Sequence, residues 1–128
     1  MGVKHLSIDI ETRSSVDIAK AGAYKYAQSP DFQILLFAYQ FGEDPVEIID
    51  FTDGETLPKE LVSALKNPKV IKHAYNAAFE WYCLNRAGFE TPIDQWRCTM
   101  VHGLYCGYTA GLDATSLRRY KLNLCLYV

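Results

Sequence analysis

The scarcities of this chain narrow it first. Its 128 residues include four cysteines, three histidines, two tryptophans and two methionines. Cys83, Cys98, Cys106 and Cys125 form no C-x-x-C pair, which points to a reducing compartment. No uninterrupted apolar run approaches the roughly 20 residues that span a bilayer. Met1-Gly2-Val3-Lys4 leads directly into a strand-like stretch without a signal-type apolar region. These absences predict a soluble, cytoplasmic protein with no membrane partner. Charge of neither sign dominates: the net charge is -2 and the pI lies near 5.9. With no global basic field, any nucleic-acid binding has to rest on a local surface or on metal ions. Repeats, linkers and low-complexity tracts are also missing. What remains is 49% hydrophobic and 13% aromatic, enough to bury the core of one domain spanning residues 1–128.

The informative stretch is Val3-Lys4-His5-Leu6-Ser7-Ile8-Asp9-Ile10-Glu11-Thr12. Its dense β-branched residues predict a strand buried on both faces of a mixed or parallel sheet. Side chains alternate along a strand, so Asp9 and Glu11 share a face and come close enough to bind one ligand. Like charges held that close repel, and burying them is costly unless a cation compensates. A bound cation is therefore one reading of the pair. The other is a solvated turn leading into Thr12-Arg13-Ser14-Ser15.

Further along, Val16 to Ala21 predicts a short helical turn ended by Gly22. Phe32–Phe41 and Val46–Phe51 read as strands around the turn Gly42-Glu43-Asp44-Pro45, completing an antiparallel meander. Pro58 opens a helix with Leu61, Val62 and Leu65 on one face, and Asn67-Pro68 stops it. Val70-Ile71 is a short fourth strand. Asn76 suits a helix N-cap, Phe79, Cys83 and Leu84 repeat at helical spacing, and Gly88 is a C-terminal stop. Ile93–Cys98 reads as a fifth extended segment, followed by a helix through Val101, Leu104 and Tyr105 that ends near Gly107. Three antiparallel strands followed by β-α-β-α units predict an α/β domain with a mixed sheet.

Ligands of open α/β sheets collect beyond the carboxyl ends of the strands, so a helix entering from the fourth strand brings Glu80 over the end that carries Asp9 and Glu11. Taken alone, Glu80 is an acidic first-turn residue favoured by the helix dipole. Together, Ile8-Asp9-Ile10-Glu11-Thr12 and His73-Ala74-Tyr75-Asn76-Ala77-Ala78-Phe79-Glu80 resemble the first two motifs of the DEDD 3'-5' exonuclease superfamily. The nearest likeness is to the proofreading domain of phage and bacterial family A DNA polymerases. Gly22–Asp31, Ile34–Tyr39 and Trp96-Arg97-Cys98-Thr99-Met100 add to it, over roughly residues 3 to 112. The resemblance implies a ribonuclease H-like fold and a site in which Asp9, Glu11 and Glu80 are both catalytic and metal-binding. Thr12, Asn76 and Phe79 would serve the substrate. Two Mg²⁺ or Mn²⁺ ions would activate water and stabilise the leaving 3' oxygen at a single-stranded DNA 3' end. The likeness also implies a polymerase domain of the same parent chain, in a phage or bacterial setting.

The chain departs from that pattern in two places. Glu80 stands where the second motif commonly has Asp. The third motif, a Tyr or His followed four or five residues later by the fourth acid, is absent: no Tyr precedes an Asp by four residues, and no His precedes one by five. The last acid is Asp113. The expectation is a C-terminally truncated, catalytically impaired exonuclease domain, with a non-catalytic nucleic-acid-binding or regulatory module of the same fold as the alternative. Elsewhere, Cys98 and His102 invite a zinc reading but are two ligands only. His5 and His73 read as structural, and Arg118, Arg119 and Lys121 as a solvated basic tail.

Overall fold

The computed structural model describes residues 4–108. The segment after Gly111 and the Arg118, Arg119 and Lys121 cluster lie outside the described residues. Strand β1 (Lys4–Arg13) is central in a five-stranded sheet. On one side it pairs antiparallel with β2 (Gln33–Phe41), which pairs antiparallel with β3 (Glu47–Asp50). On the other side it pairs parallel with β4 (Val70–Ala74), which pairs parallel with β5 (Trp96–Cys98). The order β3-β2-β1-β4-β5 is the mixed α/β sheet expected from the sequence. Between these strands lie α1 (Ile18–Gln28), α2 (Lys59–Lys66) and α3 (Ala77–Arg86), and α4 (Thr99–Tyr105) follows β5.

Leu6, Ile8 and Ile10 of β1 join Phe37 and Tyr39 of β2, Leu61 and Leu65 of α2, and Cys83 and Leu84 of α3 in one core. The other face of β1 is not buried as predicted. Asp9, Ala38 and Ile48 lie in register across three strands, and Ile48 is 62% exposed. Only Ser7 of that row in β1 is buried, and Asp9 and Glu11 stay at the surface. This is the one-sided burial typical of antiparallel sheets, here imposed by the meander half.

Several elements differ from their sequence reading. Gly22 does break the first helix, at φ +84°, but the chain re-enters helix and runs on to Gln28. Burial of Ala27 and the hydrogen bond from Tyr26 to Thr12 favour that continuation. On α2, Ala64 rather than Val62 completes the buried face with Leu61 and Leu65. The fourth strand runs on to Ala74, and Ile93–Gln95 is a 3-10 turn ahead of β5. The largest reversal is α4, which buries Thr99 and Gly103 while Val101, Leu104 and Tyr105 are exposed.

Asn76 marks the start of α3 as expected, for another reason. Its side chain makes no cap hydrogen bond, and its backbone is left-handed (φ 62°, ψ 55°). Among the described residues it is the only non-glycine with positive φ. Asn tolerates this conformation, whereas most L residues lose roughly 1–2 kcal/mol in it. At the other end of α3, Gly88 (φ +92°) carries the turn, with Gly88 N–H donating to Asn85 O and Phe89 N–H to Leu84 O. The two roles of Asn76 separate in urea unfolding. Asn76→Gly should be nearly neutral and Asn76→Ser should destabilise by about 1 kcal/mol. A Ser variant as stable as the wild type would restore the capping role.

Candidate active site

Strand β4 pairs with β1 only through Lys4–Ser7, so the second half of β1 has β2 on one side and no strand on the other. There the chain turns at Tyr75-Asn76 and enters α3, which packs against β1. Glu80, in the first turn of α3, is thereby carried to the Asp9 and Glu11 stretch. It does not point to bulk solvent: the residue is 3% exposed, and its Oε2 has no hydrogen-bond partner.

The fields of Asp9 and Glu11 both reach Glu80. Burial first, and then the fields of Asp9, Cys98 and Glu11, push the Glu80 carboxyl up to about 8, against a weaker opposing pull from its own backbone N–H. Partial burial also raises the Asp9 carboxyl, although the residue as a whole keeps contact with water. Glu80 therefore binds a proton readily at neutral pH, and the other two acids oppose its ionisation. The three make one electrostatic neighbourhood without closing into a cage. Among the described residues, no group of three His, Cys, Asp or Glu side chains is arranged to hold a metal ion. The same finding leaves Cys98 and His102 without a zinc site. Cys98 Sγ instead accepts the Ala77 N–H at 3.4 Å.

The remaining predicted residues form a wall around the acids. Thr12 follows a register shift at Glu11/Thr12, where β2 carries Leu35 as an extra residue, and its hydroxyl lies 3.0 Å from the Tyr26 hydroxyl. Phe79 packs against the core, with its ring centroid 6.0 Å from that of Tyr26. Asn76 supplies the left-handed turn and no side-chain contact to its helix. Tyr26 was missed by the sequence reading. It joins Thr12 to Phe79, and its carbonyl accepts from the Ser14 hydroxyl at 3.0 Å. No local signal marked it, because all of these contacts cross between elements. His5 and His73 are structural as read: His5 Nδ1 and His73 Nε2 share a hydrogen bond of 2.8 Å.

A buried acid held above its ordinary pKa has a stability consequence. The stabilisation of protonated Glu80 is fully present below the unfolded value of 4.5 and is lost as pH rises through about 8. The raised Asp9 carboxyl works in the same direction, starting from 3.8. At 1.36 kcal/mol per unit, the Glu80 contribution is on the order of 5 kcal/mol as an upper bound. Urea unfolding should show the wild type losing stability between pH 5 and pH 9, and Glu80→Gln flattening that loss. An unchanged slope in the variant would separate Glu80 from the acidic cluster.

No family model matches the chain. Over 116 residues it is 53% identical to a protein named DNA polymerase from Bacillus phage SP02, an alignment that takes in 89% of this chain. The chain spans about 18% of the length of that curated relative. None of the helices of the described residues is long and apolar enough to cross a membrane. What the comparison establishes is similarity to one portion of a phage DNA polymerase.

Proposed function

We propose that this chain is part of a proofreading 3'-5' exonuclease domain belonging to a phage-type DNA polymerase, acting on single-stranded DNA 3' ends. The observation that carries the reading is Glu80: buried, unpartnered at Oε2, and raised first by that burial and then by the fields of Asp9 and Glu11 on the central strand. The sheet, antiparallel on the β3-β2-β1 side and parallel on the β1-β4-β5 side, suits a ribonuclease H-like arrangement. Likeness to a DNA polymerase supports the setting.

The donor set fits Mg²⁺ or Mn²⁺ in kind, since all three groups are carboxylates and hard cations prefer oxygen. An orphaned buried carboxylate oxygen is the feature such an ion satisfies. Asp9 and Glu11 would hold the metal ions from the strand and Glu80 from the helix. When bound, a pair of such ions supplies activation of water and stabilisation of the leaving 3' oxygen. The protein's own part is positional. The open face beside Ile48 admits the strand end, and the Tyr26 hydroxyl fixes Thr12 at its rim. Phe79 offers an aromatic surface beside Tyr26 for a terminal base. Glu80 is one methylene longer than the Asp usual at this place, and its carboxyl lies under cover rather than in the open groove.

The second reading, a nucleic-acid-binding module without catalysis, is favoured by one observation. The sequence has neither a Tyr four residues before an Asp nor a His five residues before one. Without the group that aims the water and without a fourth acid, this chain should be a slow nuclease. Loss of one positioned catalytic group lowers rates by about 10² to 10⁴. Calorimetric titration with Mn²⁺, run beside a time course on a labelled single-stranded oligonucleotide, tests both halves of the reading. Mn²⁺ should bind the wild type but not the Asp9→Ala, Glu11→Ala double variant, and 3'-end shortening should be slow at best. Equal Mn²⁺ binding by the two proteins would end the metal reading. Rapid shortening that disappears in Asp9→Ala would uphold the nuclease and overturn its impairment.

A further inference from the structure

A cleft of about 450 Å³ opens where the start of β2, the 3-10 turn Phe51–Asp53 and the end of α3 meet. Its walls include the rings of Phe32, Phe51 and Phe89, the side chain of Leu35 and, from α3, Arg86. Leu35 is the extra residue at the register shift opposite Glu11 and Thr12, so the cleft begins at the strand position next to the acidic site. Arg86 is exposed and has no hydrogen-bond or ion-pair partner among the described residues. The same is true of Arg13, which closes β1 opposite Gln33, itself a wall residue of the cleft. In a chain of net charge -2, the Arg86 guanidinium lines this aromatic hollow without a carboxylate partner, and Arg13 stands one strand away, paired with its wall residue Gln33.

We infer that this cleft is a second nucleotide subsite, in which a base enters against the phenylalanine rings while Arg86 and Arg13 contact the flanking phosphates. The inference rests on the nucleic-acid reading given above and extends it from the acidic site to the path of the strand. Aromatic rings offer faces to any base, and guanidinium groups pair with phosphate in a planar fork. Glu80 and Arg86 lie six residues apart on α3, about 9 Å along the helix axis. The proposed path of the strand runs along α3 from the acids to the cleft. A purely apolar occupant would leave both cations unanswered, and a free phosphate would leave the rings unused. A single-stranded nucleic acid satisfies both features together.

Fluorescence anisotropy with a labelled oligothymidylate, using the whole chain and no divalent ion, tests the subsite. Arg86→Gln and Arg13→Gln should each weaken binding about fivefold or more. Each should also lower the slope of log affinity against log salt by about 0.7, the value for one lost phosphate contact on a single strand. Unchanged unfolding midpoints in both variants would show that the fold is intact. Photocrosslinking of the wild type to a bromodeoxyuridine-substituted oligonucleotide should label Phe32, Phe51 or Phe89, and it does not depend on any variant folding. If the wild type binds the oligonucleotide but both variants match its affinity and salt slope, or the crosslinks fall only outside the cleft, the subsite is overturned while the nuclease reading stands. If the wild type binds no oligonucleotide, the subsite is overturned, and absence of binding that persists with Mn²⁺ added overturns the nucleic-acid reading as well.

Discussion

A glutamate placed under cover next to two other carboxylates is the constraint on which the rest of this structure turns. Burial alone disfavours the charged form of Glu80, and the fields of Asp9 and Glu11 add to that penalty. Nothing in the core requires an acid there, since an apolar side chain would fill the space without either cost. In the proposed reading the charge has work to do, and a hard cation would lower both costs at once.

The backbone around Glu80 is arranged to maintain this tension. Short pairing between β4 and β1 leaves the end of the central strand free for α3. The left-handed Asn76 turns the chain abruptly enough for the first turn of the helix to reach it. Tyr26 ties the far side together through Thr12 and Phe79, and the register shift at Glu11/Thr12 redirects the strand where the site begins. Irregularities of this kind gather at functional sites, because regular structure seldom aims side chains from different elements at one point.

The parts of this arrangement legible in the sequence were those with local causes. Alternation along β1 put Asp9 and Glu11 on one face, and helical spacing with Gly88 at its end marked α3. The antiparallel meander and the mixed sheet followed from turn signals and the β-α-β rhythm. Tertiary causes stayed hidden. Val101, Leu104 and Tyr105 form an apolar stripe by spacing, yet Thr99 and Gly103 are the buried residues of α4. The role of Asn76 was misread because the same residue type serves caps and left-handed turns alike. Tyr26 gave no sign, since its partners lie on β1 and α3. Gly22 was read correctly as a break and wrongly as an end, because burial of Ala27 restarts the helix beyond it.

The central claim is that Glu80 shares its charge environment with Asp9 and Glu11 and that a divalent cation relieves it. The most direct measurement is the titration of the Glu80 side-chain carboxyl by carbon-detected nuclear magnetic resonance, without and then with Mg²⁺. The account predicts a midpoint near pH 8 without the ion and a clear fall when it is added. A midpoint at the ordinary glutamate value of about 4.3, indifferent to Mg²⁺, would contradict it.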